Sequence, residues 1–243
     1  STGSWYSVDL EDGSSIQTRI KGKFRMQGIK STNPVAVGDY VDVDREEGQD
    51  TGVIVGIDER TNYIVRKSVN LSKRTHILAA NLDQAVLVAT LNHPKTFTAF
   101  IDRFLVTAEA YQIPAVIVFN KIDLLNDEEV QELAALMSLY EGIGYKVLGT
   151  VASKGRGIQA VKDLLQGNVT LVSGNSGVGK STLINQVDPE LNLKTTELSD
   201  SFDLGQHTTS FAEMFPISGG GYIIDTPGIK GFGMFDMDKY EIT

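Results

Sequence analysis

Val169-Thr170-Leu171-Val172-Ser173-Gly174-Asn175-Ser176-Gly177-Val178-Gly179-Lys180-Ser181-Thr182 decides the architecture. An apolar run opens it, a glycine-rich turn follows, and a helix-like stretch over residues 182–187 closes it. Residues 174–181 match G-x-x-x-x-G-K-[ST] in full, in the strand–loop–helix setting that a P-loop needs. The chemistry explains the residue types. Glycines let the backbone wrap closely enough for its N–H groups to point at phosphate oxygens. Gly174, Asn175, Ser176, Gly177, Val178 and Gly179 are therefore read as a phosphate cradle. Lys180 is read as the cation for the β- and γ-phosphates and the Ser181 hydroxyl as a Mg²⁺ ligand, with Thr182 completing the nucleotide-binding set.

Two further segments on the carboxyl side fit this reading. Asp225 ends a short apolar strand and opens Asp225-Thr226-Pro227-Gly228. A carboxylate there holds Mg²⁺, usually through water, and the Gly228 N–H senses the γ-phosphate. Between the two motifs lies Gly205-Gln206-His207-Thr208-Thr209-Ser210, in a polar stretch over residues 194–210. A threonine of such a loop binds Mg²⁺ and γ-phosphate together and orders the loop when the triphosphate is bound. Spacing does not choose between Thr208 and Thr209. His207 is a candidate for orienting water or meeting a partner; the bland alternative is an ordinary loop histidine.

On the amino side, Asn120-Lys121-Ile122-Asp123 follows the apolar run 115–119. An aspartate so placed accepts hydrogen bonds from the N1–H and 2-amino group of guanine. Adenine lacks that donor pair, and an unpaired carboxylate rejects it. Asn120 is expected to fix the loop and contact the base, and the Lys121 stem to cover its face. Thr150-Val151-Ala152-Ser153-Lys154-Gly155 ends the next strand. There the Ala152 N–H is a candidate donor to guanine O6, with Ser153 beside it. Val151 stands where the usual pattern has serine.

From residue 84 onward the pattern alternates strand and helix. Residues 84–91, 115–119, 146–151, 169–172 and 222–224 read as strands, and 98–111, 127–140 and 157–165 as helices. Alternation of this kind implies a mostly parallel sheet covered by helices. Upstream, residues 5–10, 15–21, 40–44, 52–57 and 63–67 read as short strands separated by turns. They suggest a small all-β barrel of the OB type over residues 1–68. Residues 68–80 read as a linker or loop, and residues 69–243 as an α/β GTPase domain. Its base motifs precede the P-loop, the reverse of ordinary small GTPases, so the domain reads as circularly permuted.

The chain has 243 residues, 41% hydrophobic and 22% charged, enough for a proper core. It has no run of ~18 apolar residues of the kind that spans a membrane. With no cysteine it has no disulfide framework and no Cys-based zinc site. These features suit a cytoplasmic protein. The start, Ser1-Thr2-Gly3-Ser4, reads as a trimmed terminus. A formal charge of −9 argues against non-specific coating of nucleic acid. A local basic face is still present: Arg19, Lys21, Lys23 and Arg25 alternate along one segment around Phe24, with Lys30 following. Such a stripe neutralises phosphates, with Phe24 as a stacking candidate; the alternative is a solvated barrel face. Trp5 is expected in the barrel core.

A strand-rich barrel followed by a permuted domain with Gly174–Thr182, Gly205–Thr209 and Asp225–Gly228 resembles the RsgA/YjeQ family of bacterial ribosome-biogenesis GTPases. Asn33-Pro34-Val35-Ala36-Val37-Gly38-Asp39 also looks like that family's barrel. The resemblance spans nearly the whole chain. It implies an OB-fold that contacts ribosomal RNA, and GTP hydrolysis with Mg²⁺, stimulated by the small ribosomal subunit during late maturation. It also implies a C-terminal zinc domain built from Cys and His, whose ligands would lie outside this sequence. A monomer is expected. Ile229 follows the Asp225–Gly228 motif where many GTPases place a water-positioning glutamine, so slow intrinsic hydrolysis is expected. Gly177 stands where potassium-activated GTPases tend to carry Asn. Two other readings stay open: an RNA-binding adaptor with a regulatory guanine site, and a P-loop kinase or ATPase, against which Asp123 speaks.

Overall fold

The computed structural model describes residues 5–20, 34–46, 48–67, 75–193 and 213–225. Two compact units divide the chain, Ser1–Asn81 and Leu82–Thr243. In the first, β1 (Trp5–Asp9), β2 (Ser15–Ile20), β3 (Val41–Arg45) and β4 (Thr51–Ile57) form a sheet in the order β1-β2-β4-β3. Strands β1 and β2 make an antiparallel hairpin. At its turn the Asp12 carboxylate accepts the Ser14 N–H at 2.9 Å and Gly13 takes φ +82°. Parallel pairing of β2 with β4 shows a connection that is not a simple meander, as in Greek-key barrels. Strand β5 (Tyr63–Lys67) pairs antiparallel with β6 (Thr75–Ala80). Ile16 and Thr18 of β2 and Gly52 and Ile54 of β4 supply the buried positions of these strands.

Strands β1 to β5 lie within a residue of their predicted positions, but the linker expected over residues 68–80 is not all linker. Thr75–Ala80 is a strand, with Ala79 and Ala80 fully buried. Its small residues give no strong apolar alternation; pairing with β5 is what makes it a strand. The compositional boundary at residue 68 therefore falls inside the first unit. Trp5 is 39% exposed rather than core, because β1 buries neither of its faces fully.

The Pro34–Asp39 segment forms a corner. The buried Asp39 carboxylate accepts Arg60 Nε and Nη2, each at 2.6 Å, and the Ala36 N–H at 2.8 Å. Gly38 takes φ +88°, and a Cβ there would collide with the Ala80 carbonyl oxygen. Asn81 Nδ2 donates to the Gly38 carbonyl at 2.9 Å. The motif that looked like a family signature thus carries architecture: a two-pronged charged pair in a covered site, with its remaining acceptor satisfied.

The second unit is built on a six-stranded sheet in the order β11-β12-β10-β7-β8-β9. Its strands are β7 (Gln84–Ala89), β8 (Ala115–Phe119), β9 (Lys146–Gly149), β10 (Val169–Ser173), β11 (Glu213–Pro216) and β12 (Tyr222–Asp225). All neighbours are parallel except β11 and β12. Every residue of β7 is buried, as a central parallel strand requires. Helices α1 (Thr98–Ala110), α2 (Asp127–Gly142), α3 (Ile158–Leu165) and α4 (Lys180–Val187) follow β7, β8, β9 and β10 in turn. Val86, Val88, Val116, Val118, Val172 and Ile223 pack with Val161, Leu164 and Leu165 of α3 and Leu183, Ile184 and Val187 of α4. By the two-residue period, Leu87, Ile117, Leu171 and Ile224 face the other side, where α1 packs on β7 and β8 and α2 packs on β9. Helix α2 opens on a capping box: Asn126 Oδ1 accepts the Glu129 N–H at 3.0 Å, and Glu129 Oε2 accepts the Asn126 N–H at 2.9 Å.

Since β7, β8, β9, β10 and β12 are parallel, their carboxyl ends share one edge. The loops after β8, β9 and β10 and the last residue of β12 therefore meet there, which is where open α/β sheets bind ligands.

Candidate nucleotide site

The loop after β10 has the backbone that its glycines predict. Gly174, Gly177 and Gly179 take φ of +149°, +82° and +94°. A Cβ on Gly174 would run into the Val88 carbonyl of β7, and one on Gly179 into the Asn120 side-chain amide. Gly179 is the N-cap of α4, so the helix begins at Lys180 with its free N–H groups at the loop. Val178 is fully buried and anchors the loop in the core below α4.

Lys180 folds back over this loop. Its Nζ donates to the carbonyls of Gly174 at 2.7 Å and Asn175 at 3.1 Å. Burial pushes its pKa down, and the charge of Asp225 opposes that shift. Asp225 ends β12 and pairs in register with Val172 of β10, which places the two within electrostatic reach. Ser181 and Thr182 occupy the first turn of α4, both partly exposed.

The base-side loop is joined to the P-loop through Asn120, which is 4% exposed. Asn120 Nδ2 donates to the Val178 carbonyl at 2.9 Å. Its Oδ1 accepts the Thr150 hydroxyl at 3.1 Å and the Ala152 N–H at 3.0 Å. One buried amide thus ties the loops after β8, β9 and β10. Asn120→Ala is expected to cost about 2–4 kcal/mol, because three buried partners lose their bonds at once. A denaturant midpoint of the second unit that stays at the wild-type value would refute this.

Lys121 takes the left-handed region at φ +61°, and its Nζ donates to the Gly177 carbonyl at 2.7 Å. Its stem therefore runs alongside the P-loop. The Asp123 carboxylate pairs with Lys154 Nζ at 2.7 Å, and that cation holds it below the usual carboxylate range. Ala152 lies in the one-turn 3-10 segment Ala152–Lys154, with Ser153 beside it. Its N–H, expected at guanine O6, donates here to Asn120.

The structure thus gathers Asn120, Lys121, Asp123, Ala152, Ser153, residues 174–182 and Asp225 at one sheet edge. His207, Thr208, Thr209, Gly228 and Ile229 lie outside the described residues, as do Lys21, Lys23, Phe24, Arg25 and Lys30. Thr150 and Lys154 carry contacts that the sequence reading did not assign. Both stand in the quoted segment after β9, but only the fold shows that they meet the loop after β8. No helix among the described residues is long and apolar enough to cross a membrane.

Among the described residues, the site fits a nucleotide phosphate chain with Mg²⁺. The glycine cradle excludes side chains, a cation lies on it, and a hydroxyl with a carboxylate is the oxygen donor set that Mg²⁺ favours beside phosphates.

A family model described as the RsgA GTPase matches residues 57–235, and one for the RsgA N-terminal domain matches residues 1–54. The small ribosomal subunit biogenesis GTPase RsgA of Christiangramia forsetii is 60% identical, over all of this chain and 78% of its own length. That of Bacteroides fragilis is 56% identical over 99% of this chain and 77% of its own. Among solved structures, YjeQ from Thermotoga maritima is 33% identical with a TM-score of 0.79, covering 98% of this chain and 76% of that one. YloQ, described as a circularly permuted GTPase, is 30% identical with a TM-score of 0.72, covering 100% and 74%. With its P-loop, its permuted strand order and these matches, the chain belongs to the RsgA GTPase family.

Proposed function

We propose that this GTP hydrolase acts in small ribosomal subunit assembly, with turnover that depends on the subunit. The observation that carries the nucleotide reading is the junction at Asn120, where one buried amide joins the phosphate loop to a loop bearing an ionised aspartate. The relatives named above as small ribosomal subunit biogenesis GTPases support the assignment to assembly.

The residues divide the work. Asp123 accepts the N1–H and 2-amino hydrogens of guanine, and the Lys121 stem lies against the ring. The Ala152 N–H is shared between Asn120 and guanine O6. Backbone N–H groups of residues 174–181 cradle the phosphates, and Lys180 exchanges its loop carbonyls for the β- and γ-phosphate oxygens. Ser181 and Asp225 would hold Mg²⁺, with Thr208 or Thr209 as the third protein group. Bound there, Mg²⁺ would supply positive charge against that developing on the phosphates. Gly228 donates its N–H to the γ-phosphate. Ile229 has no polar atom with which to polarise water, so the attacking water needs His207 or a group supplied by the subunit.

The first unit contacts ribosomal RNA in this proposal. Arg19 pairs with Glu46, and Lys21, Lys23 and Arg25 of the same stripe lie outside the described residues. Over residues 1–68, Lys and Arg total 9 against 11 Asp and Glu, so binding would be a patch effect with marked salt dependence. A monomer acting in the cytoplasm completes the proposal.

The test is GTP and ATP turnover, alone and with small or large ribosomal subunits. GTP hydrolysis is expected to be slow alone and to rise at least about tenfold with small subunits only, because the missing water-orienting group is a general-base-type contribution. Equal turnover with and without subunits would remove the assembly-coupled enzyme and favour a regulatory site.

A further inference from the structure

The pair between Asp123 and Lys154 joins the turns that follow β8 and β9 at the sheet edge. Lys154 ends the 3-10 turn Ala152–Lys154. That turn is clamped at its base by two backbone bonds, Val151 N–H to the Arg156 carbonyl at 2.9 Å and Arg156 N–H to the Val151 carbonyl at 3.2 Å. Gly155 takes φ +67° to close it, and the Lys154 N–H donates to the Val151 carbonyl at 3.0 Å. Asp123 stands in its own 3-10 turn, Ile122–Leu124, after the left-handed Lys121. Two rigid turns from different strand ends therefore present one ammonium to one carboxylate.

We propose that Lys154 is a positioning residue for base recognition, its ammonium anchoring one oxygen of the Asp123 carboxylate so that the remaining acceptor sites face guanine. The proposal rests on the nucleotide-site reading above. An ionised carboxylate has about four acceptor sites. Lys154 occupies one, on Oδ2 at 2.7 Å, and the residue's own backbone N–H takes another. The two that remain are enough for the N1–H and the 2-amino group. Lys154 is therefore an anchor and not a plug. Its side chain is 61% exposed while that of Asp123 is 12% exposed, so the ammonium keeps much of its hydration while the carboxylate is mostly covered. The charged groups that act on Asp123 among the described residues are Lys154 and, more weakly, Arg156, and both favour its ionised form. Lys154 touches no phosphate-loop residue in the described contacts, so it influences the base and not the chemistry.

The test is a double-mutant cycle on the full chain, read by titration with GDP and by GTP turnover. Lys154→Ala is expected to raise the GDP Kd about threefold at low salt, the scale of a half-exposed ion pair. The GTP KM should rise in proportion with kcat unchanged, and the difference should shrink towards unity at high salt. Lys154→Arg should stay near wild type. In an Asp123→Asn background, Lys154→Ala should change the GDP Kd by less than about 1.5-fold, because no carboxylate remains to anchor. Melting midpoints report that each variant folds. An unchanged or tighter GDP Kd in Lys154→Ala, or the same loss in both backgrounds, would overturn the proposal while leaving the base site intact. Undiminished GDP affinity in Asp123→Asn itself would remove the base-site reading, and the anchor with it.

Discussion

Lys180→Ala is expected to lower kcat/KM for GTP about 10³-fold or more, with the fold retained. The γ-phosphate loses a cation where charge develops during transfer, and single preorganised donors of that kind contribute about 10²–10³ in rate. The bound β-phosphate loses the same cation, which weakens binding as well. In the nucleotide-free loop Lys180 Nζ bonds the carbonyls of Gly174 and Asn175. Those carbonyls belong to a loop that water reaches, so their release costs little stability. Lys180→Arg should not rescue, because a planar guanidinium cannot take the place of a compact ammonium between two carbonyls of one turn.

The same lysine gives binding a pH dependence with a definite sign. Burial lowers its pKa in the nucleotide-free loop. A bound triphosphate favours the ammonium and raises that pKa. Nucleotide binding therefore takes up a proton once the pH exceeds the pKa of the free loop, and affinity falls as pH rises through that value. Turnover of Lys180→Ala within about tenfold of wild type would contradict the assignment on the scale of charge stabilisation.

Much of this site was legible in the sequence because its parts are local. The cradle is one run of eight residues whose glycines have a stereochemical reason, and each took positive φ where a Cβ would collide or the chain turns. The parallel sheet was legible because buried parallel strands are continuous apolar runs, as Gln84–Ala89 is. Less was visible where structure depends on partners far along the chain. Strand β6 reads as linker, and only β5 makes it a strand. Strand β11 has no signature of its own and exists as the antiparallel neighbour of β12. Trp5 invites a core reading on hydrophobicity alone, but the edge of the described sheet leaves it exposed. The threefold engagement of Asn120 joins residues 30 to 58 positions apart, and no spacing rule on one segment encodes it. Lys154 is the sharpest case: it reads as a surface lysine until the fold brings it 2.7 Å from a carboxylate 31 positions earlier.

Asp123→Ala is expected to lower the preference for GTP over ATP, measured as the ratio of kcat/KM values, by about 10³-fold. Each charge-assisted hydrogen bond to the carboxylate contributes about 1.5–3 kcal/mol, and guanine makes two. Adenine offers no hydrogen at N1 and no 2-amino group, so it leaves an ionised, mostly covered carboxylate facing a ring lone pair. The penalty on adenine and the gain on guanine both vanish with the side chain. Lys154 favours the ionised form of Asp123, and an ionised carboxylate has no hydrogen to offer adenine N1. The turn carrying Asp123 should survive, since Lys121 and Asn120 remain tied to the P-loop. GTP turnover should therefore fall mainly through KM, while kcat holds within about tenfold because the phosphate groups are unaltered. A GTP-over-ATP ratio in Asp123→Ala equal to that of the wild type would mean that the base lies elsewhere. In that case the shared sheet edge would be a phosphate site without a guanine site.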